Sequence, residues 1–319
     1  MAINFPNNPT NGQIYSEGNK SWQWLGNRWG AYNIQNPFLG AFRNKIINGG
    51  FDIWQRGTSF TGVGAGVFTA DRWTTSSSTG TLNKNISRQI LSVSDLPFTE
   101  AGLTYYLRAL YTSGTNTTEL PICQPIELTR TGSPGPFKPG QVYTLSYYAR
   151  CQSNNTIRWS LQFRDNSNTG TNASQGPSEL QAITTLWARY SHTFTLHSPN
   201  ATNTSLCVTF TNNVTPANTN IDITGVQLEE GSVATPFEQR PIGTELALCQ
   251  RYYQVFPVLY IPNTSHAETI YYKTSMRTEP QISWGGTFVG GYPTGITKES
   301  FIGYSTSNSS QSLTLNAEL

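Results

Sequence analysis

Apolar residues that return at every second position constrain this chain more than any other feature. In 141–151, Tyr143, Leu145, Tyr147 and Ala149 fall on one side of an extended backbone. In 156–165, Ile157, Trp159, Leu161 and Phe163 fall on one side, and Arg158, Ser160, Gln162 and Arg164 on the other. Tyr190, His192, Phe194 and Leu196 continue the pattern, as do Leu206, Val208 and Phe210. The last such run holds Ile221 and Ile223, then Val226 and Leu228, and the change of phase at Gly225 predicts a β-bulge. Side chains of a strand point alternately to opposite faces, so these runs describe antiparallel sheets with one apolar and one wet face. Earlier runs at 44–54, 69–76, 82–90, 104–111 and 119–128 come at similar intervals, with no long amphipathic helix between them. The expected fold is all-β, an antiparallel β-sandwich or jelly roll.

The outward positions carry little charge. Charged residues are 12 % of the 319, about half of the usual ~25 %. Thr, Ser, Asn and Gly fill the gap, and aromatics at 12 % argue against disorder. Such a surface suits neutral polymers or large assemblies. A net charge of +2 gives no clustered basic face for nucleic acid. No window is long and apolar enough for membrane insertion. Met1-Ala2-Ile3-Asn4-Phe5 has neither a basic region nor an apolar run, so a secretory signal is not expected there. Cys123, Cys151, Cys207 and Cys249 match no metal spacing and read as buried thiols, with a pair of strand cysteines as the alternative.

Three segments are expected. Residues 1–40 form a small N-terminal β-meander with Trp22, Trp24 and Trp29 inside eight residues. Those rings are either a miniature core or a docking plug that packs on another protein. Residues 41–241 form the jelly roll. Residues 242–319 hold one short helix and a small C-terminal β domain. Thr244 is the expected N-cap, with Glu245 in the first turn. Leu246, Cys249 and Tyr253 recur at helical spacing. Burying three such side chains stabilises by roughly 1.5–3 kcal/mol each, too little for an isolated helix. Something must therefore pack on it, with oligomerisation the simplest source of cover, and these three residues are the ones expected to meet it.

No catalytic constellation is visible. His192, His197 and His266 lack zinc spacing, and His192 reads as a core histidine. Asp52 and Asp71 could be set out as a glycosidase pair, but each adjoins Arg and Trp, as structural ion pairs do. The chain is not expected to be an enzyme. A sugar site needs a flat aromatic against the ring and polar groups on the hydroxyls. Trp187 or Tyr148 offers the first, and Arg158, Gln162 and Arg164 the second.

Two stretches carry a resemblance. Asn44-Lys45-Ile46-Ile47-Asn48-Gly49-Gly50-Phe51-Asp52-Ile53-Trp54-Gln55-Arg56-Gly57, with Thr69-Ala70-Asp71-Arg72-Trp73, resembles the opening of a module repeated in bacteriophage tail fibre and tail proteins. Gly225-Val226-Gln227-Leu228-Glu229-Glu230-Gly231, through Pro236-Phe237-Glu238 to Leu248-Cys249-Gln250-Arg251-Tyr252-Tyr253, resembles its close. Pro139-Gly140-Gln141-Val142-Tyr143-Thr144-Leu145-Ser146-Tyr147-Tyr148-Ala149-Arg150 is similar to a central strand of galactose-binding-like carbohydrate-binding modules. Residues 11–15 with the three tryptophans resemble the head of cyanophage tail proteins. The resemblance implies a homotrimeric fibre in the virion tail. Residues 1–40 would dock to a tail or baseplate protein, and another surface would hold host-surface polysaccharide. It leaves a purely structural tail protein and a polysaccharide-degrading tailspike as alternatives. Members of the sugar-binding group often hold structural calcium; Asp222 is the one matching position and no second ligand accompanies it, so no cofactor is expected.

Overall fold

The computed structural model describes residues 5–10, 13–17, 20–24, 26–32, 42–75, 83–92, 94–95, 102–113, 122–130, 133–134, 137–152, 155–164, 175–197, 205–212, 219–261, 268–285, 293–303 and 309–318. The chain divides into two compact units, Met1–Arg43 and Asn44–Leu319.

In the first unit β1 (Ile14–Glu17), β2 (Lys20–Trp24) and β3 (Trp29–Tyr32) form an antiparallel meander. Trp22 lies opposite Tyr15 and Ala31, and Trp24 opposite Trp29, so these aromatics share one face. Phe5 closes over them, stacked on Trp29 at 5.0 Å and edge-on to Trp22 at 5.3 Å. The tryptophans thus build a small aromatic core of the unit's own, capped by a residue before the first strand.

The second unit is built on two antiparallel sheets. Its strands are β4 (Ser59–Val63), β5 (Thr74–Thr75), β6 (Asn83–Ile90), β7 (Tyr105–Ser113), β8 (Ile122–Glu127), β9 (Thr129–Arg130), β10 (Ser133–Pro134), β11 (Val142–Cys151), β12 (Asn155–Arg164), β13 (Gln175–Ile183), β14 (Ala188–Thr195), β15 (Ser205–Asn212) and β16 (Thr219–Glu230). One sheet has the order β14-β11-β16-β7-β6-β4, the other β13-β12-β15-β8-β5. The alternating apolar sets of β11, β12, β15 and β16 face one another and merge into a single core. Tyr147 meets Phe210 across the sheets at 4.8 Å, and Trp159 stacks on His192 at 4.4 Å. The register of β11 against β16 shifts between Ser146 and Tyr148, opposite Gly225 at φ +58°, which is the expected bulge. A Cβ on Gly225 would sit 2.9 Å from the Tyr148 ring.

Three expectations change. First, 44–54 is not a strand. Asn48 and Phe51 have φ of 58° and 57°, which turns the chain twice. Asn48 holds that loop: its side-chain amide donates to the Ile53 and Asp71 carbonyls and its side-chain oxygen accepts from Ile53 N. Its own carbonyl accepts from Trp73 Nε1. Arg72 also has φ +70°, so among the described residues 69–75 only Thr74–Thr75 is strand. Second, the outer face of β16 is not wet. Asn220, Asp222, Thr224, Gln227 and Glu229 are all buried. After Glu230 the chain folds back over this face, where Gln227 and Glu229 bond to Thr235 and Gln227 accepts from Glu238 N. Third, the helix α1 (Ile242–Gln250) starts at Pro241, before Thr244, and has no side-chain cap.

The edge strand β13 went unrecognised in the sequence because its side chains 178–180 are exposed and show no apolar alternation. Pro177 suits such an edge.

After α1, β17 (Tyr253–Ile261), β21 (Ser309–Asn316) and β19 (Gln281–Gly285) pair in that order, and β18 (Glu268–Tyr271) pairs with β20 (Ser300–Gly303). Met276, Phe301, Leu313, Leu315 and Ala317 form a separate small core. The expected division after 241 is nevertheless not a division between compact units. Arg72 pairs with Glu318, Arg56 with Glu318 at 3.1 Å, and Arg251 with Glu127 at 3.0 Å. No helix among the described residues is long and apolar enough to cross a membrane.

Candidate functional site

The residues chosen from sequence for sugar binding do not meet. Tyr148 lies on β11 and Trp187 just before β14, both with the six-stranded sheet, whereas Arg158, Gln162 and Arg164 lie on β12 in the other. The polar face of β12 is closed as well. Ser160 Oγ bonds to Thr209 Oγ1, Arg164 is buried, and Arg164 Nη2 donates to Gln162 Oε1 at 2.8 Å. Arg164 Nη1 lies 3.9 Å from Cys123 Sγ. The Cys207 thiol bonded to Cys123, with Arg164 and Lys84 beside it, pulls the Cys123 thiol down to about 7. Burial pulls the Lys84 ammonium down to about 7 as well. Ser160 and Arg164 on this face are buried, whereas Gln162 and Arg158 are half-buried, the latter with Nη1 3.4 Å from Ser178 Oγ.

Of the residues chosen for the trimer interface, one is buried in its own chain and two are half-buried. Cys249 is buried, and the Arg56 guanidinium lies 3.5 Å over the Tyr253 ring, which belongs to β17 and not to the helix. Leu246 is half-buried.

Of the two aspartates considered as acids, Asp71 is buried, accepts from Gln55 N at 2.9 Å, and has Arg56 at 3.9 Å. Burial raises its pKa. Asp52 is raised to about 6 by burial, with Glu245 adding to the effect. His192 accepts the core role read from sequence: it lies between Trp159 and Tyr147, whose hydroxyl is 3.2 Å from Nε2. Burial lowers its pKa.

An open cleft of about 330 Å³ lies on the outer side of β7, β16 and β11, lined by Arg108, Arg150, Cys151, Gln152, Thr185, Asn220 and Asp222. Its floor is the fully buried Asp222. Arg108 Nε and Nη2 each reach one Asp222 oxygen at 2.8 Å, Arg150 Nε donates at 3.0 Å, and Asn220 Nδ2 at 2.8 Å. Both guanidiniums also donate to the Tyr106 hydroxyl at 3.2 Å. Trp187 stands edge-on to Tyr106 at 5.2 Å with the Arg150 guanidinium 4.8 Å over its ring. The bonds to Asp222 raise the pKa of Arg108.

Strand register creates this arrangement. Arg108 and Arg150 lie directly opposite Asp222 on its two neighbouring strands. The resemblance offered Asp222 as the one matching position for calcium. The two guanidiniums stand where a cation would have to be, so the residues do not fit a metal ion there. Among the described residues no group of three or more His, Cys, Asp or Glu could hold one.

Sequence reasoning named Trp187 but missed Tyr106, Arg108 and Arg150. Each is a polar-face residue of an alternating strand, which is a usable signal. Their convergence on residue 222 depends on strand order, which the pattern does not give.

Residues 112–216 match a family model described as a carbohydrate binding domain. That span includes Arg150 and Trp187 but not Arg108 or Asp222. No curated protein matches the chain. Solved structures similar to it include one described as CBM4 structure and function, 15% identical over 58% of this chain and 98% of that one, with a TM-score of 0.37. Another is the enzymatically active domain of bacteriophage CBA120 tailspike protein 4, 16% identical over 59% of this chain and 22% of that one, with a TM-score of 0.37. A third is the family 11 carbohydrate-binding module of a Clostridium thermocellum cellulosomal cellulase, 11% identical over 53% and 92%, with a TM-score of 0.32.

Proposed function

We propose that this chain is a non-catalytic glycan-binding protein of a bacteriophage tail, a fibre that adheres to host-surface polysaccharide through the Arg108–Arg150 cleft. The cleft carries this reading. It offers guanidinium, amide and hydroxyl groups at fixed positions beside the half-buried Trp187 ring, the mixed polar and aromatic make-up that holds a sugar. The match of residues 112–216 to a carbohydrate binding domain supports the same ligand class.

The tail assignment rests on the two motifs that resemble phage tail modules, and residues 1–40 remain the proposed docking segment. The homotrimer rests on that resemblance too, and not on α1, whose Cys249 and Glu245 are buried in their own chain.

Affinity electrophoresis of the full chain through gels loaded with polysaccharide tests the binding. Retardation by at least one polymer is expected, with Trp187→Ala weakening it by about tenfold, since a stacked aromatic is worth ~0.5–1.5 kcal/mol beyond its area. No retardation by any polymer favours a purely structural tail protein. Release of reducing ends favours the tailspike reading. Imaging of the assembled particle with labelled chain tests the location.

A further inference from the structure

The chemistry of the cleft narrows its ligand, on the premise that the cleft binds saccharide at all. A carboxylate has about four acceptor sites. Asp222 accepts four hydrogen bonds, two from Arg108 and one each from Arg150 and Asn220, so none is left for a ligand hydroxyl. The Tyr106 oxygen accepts from both arginines, which turns its own proton outward as a donor. Arg150 Nη1 is drawn toward Asp95 at 3.3 Å, and Asp95 is itself held by Ser92 N and Oγ at 2.8 Å. Arg108 Nη1 donates to no described residue, and the side chain is 34% exposed.

The charged groups of the wall therefore offer a ligand donors only, and its acceptors are the neutral oxygens of Gln152, Thr185 and Asn220. Its lining holds two guanidiniums and one carboxylate. A neutral sugar hydroxyl both donates and accepts, so the two guanidiniums satisfy only half of it. An anionic oxygen only accepts, and a hydrogen bond to it from a charged guanidinium is roughly twice as strong as one between neutral groups.

We infer that the cleft takes an acidic saccharide, anchored through its anionic group on Arg108 Nη1. The group is either a uronate carboxylate or a sulfate or phosphate ester. Arg150 and the Tyr106 hydroxyl lie close enough to share it, and Asp222 keeps Arg108 aimed outward.

The test compares ligands that differ only in charge. The full chain is run through gels of polygalacturonate and of alginate, and of the same polymers after carboxyl reduction. Chondroitin sulfate and its desulfated form distinguish ester from carboxylate, and xylan, mannan and β-glucan are the neutral set. Binding to an acidic polymer is expected, falling about 10- to 100-fold when the anionic group is removed, as a charged hydrogen bond predicts. Rising salt should weaken it. Arg108→Gln should lose the same factor, and circular dichroism of that variant checks its fold. The ligand-side comparison needs no variant. Binding to neutral polymers only, or equal binding before and after charge removal, overturns the inference and leaves the glycan-binding reading standing. No binding to any polymer of either set overturns both.

Discussion

Asn48 and Gly49 show how much one turn can depend on distant partners. Asn48 N donates to the Glu245 carboxylate, and Val226 N donates to Gly49 O at 3.0 Å. A Cβ on Gly49 would lie 2.1 Å from the Val226 carbonyl oxygen. Gly49→Ala must therefore push the loop off β16, and overpacking of this kind costs about 1–3 kcal/mol. A chemical denaturation midpoint unchanged in that variant would show that the contact is not tight. Asp52, two positions beyond Gly50, gives a pH prediction. Its folded pKa of about 6 lies above the ordinary value of 3.8, so the fold prefers the neutral acid. The stability it contributes is fully present below about pH 4 and is lost as pH rises through about 6. Asp52→Asn should thus stabilise at pH 7 and do little at pH 4. Melting temperatures of both proteins across that range check it, and a gain confined to low pH would contradict the assignment. The sequence read this stretch as a strand because Ile46, Ile47, Phe51 and Ile53 resemble one. The residues that bend it instead lie 23 and 197 positions away, at Asp71 and Glu245.

Among the elements, β16 was the most legible and also the most misread. Its alternation and its bulge at Gly225 were visible, and both are present. Its polar face was expected to be wet, because Asn, Asp, Thr, Gln and Glu at alternate positions ordinarily face solvent. Here Asn44 bonds to Val226 and Leu228, and the Thr235–Glu238 segment covers Gln227 and Glu229. The two motifs that resemble tail modules are the two halves of this closure. Arg240 joins them, donating to the Asn44 and Ile46 carbonyls and to Glu245 at 3.0 Å. A jelly roll cut after Glu230 loses Glu238, Arg240 and Glu245 together. It should aggregate or unfold without a cooperative transition, and a folded monomer on size exclusion would refute the closure. The point variant Glu245→Ala removes the nearer of Arg240's two carboxylate partners, leaving Glu238 at 3.7 Å, and should destabilise by about 1.5–3 kcal/mol in chemical denaturation. The candidate site was less legible for the same reason. Tyr106, Arg108 and Arg150 are ordinary polar-face residues until the order β11-β16-β7 sets them around Asp222.

At the scale of the whole molecule, binding strength turns on how many clefts act together. A single cleft of about 330 Å³ that is open on one side grips little of a polymer. Joined sites raise apparent affinity by about 10²–10⁴ without any new contact, where geometry lets them bind one surface. The resemblance implies a trimer, and a short helix with a small β domain in need of cover fits that. The cover is supplied internally, through Glu127, Glu318, Arg56 and Arg72. The buried Glu245 and Cys249 are therefore closed to a trimer contact, while Ile242 on the same helix is exposed. Since Asn44–Leu319 is a compact unit with its own cores, the fragment 44–319 should fold alone and melt at the temperature of the full chain. Light scattering of both decides where association lies. If the full chain is trimeric and the fragment monomeric, residues 1–43 carry assembly, and the fragment should keep the cleft's intrinsic affinity while losing adsorption to host cells by the avidity factor. If both are trimeric, assembly lies within the second unit and adsorption should be equal. A full chain that is monomeric at micromolar concentration removes avidity from the proposed function, and the cleft alone would then have to account for any adhesion.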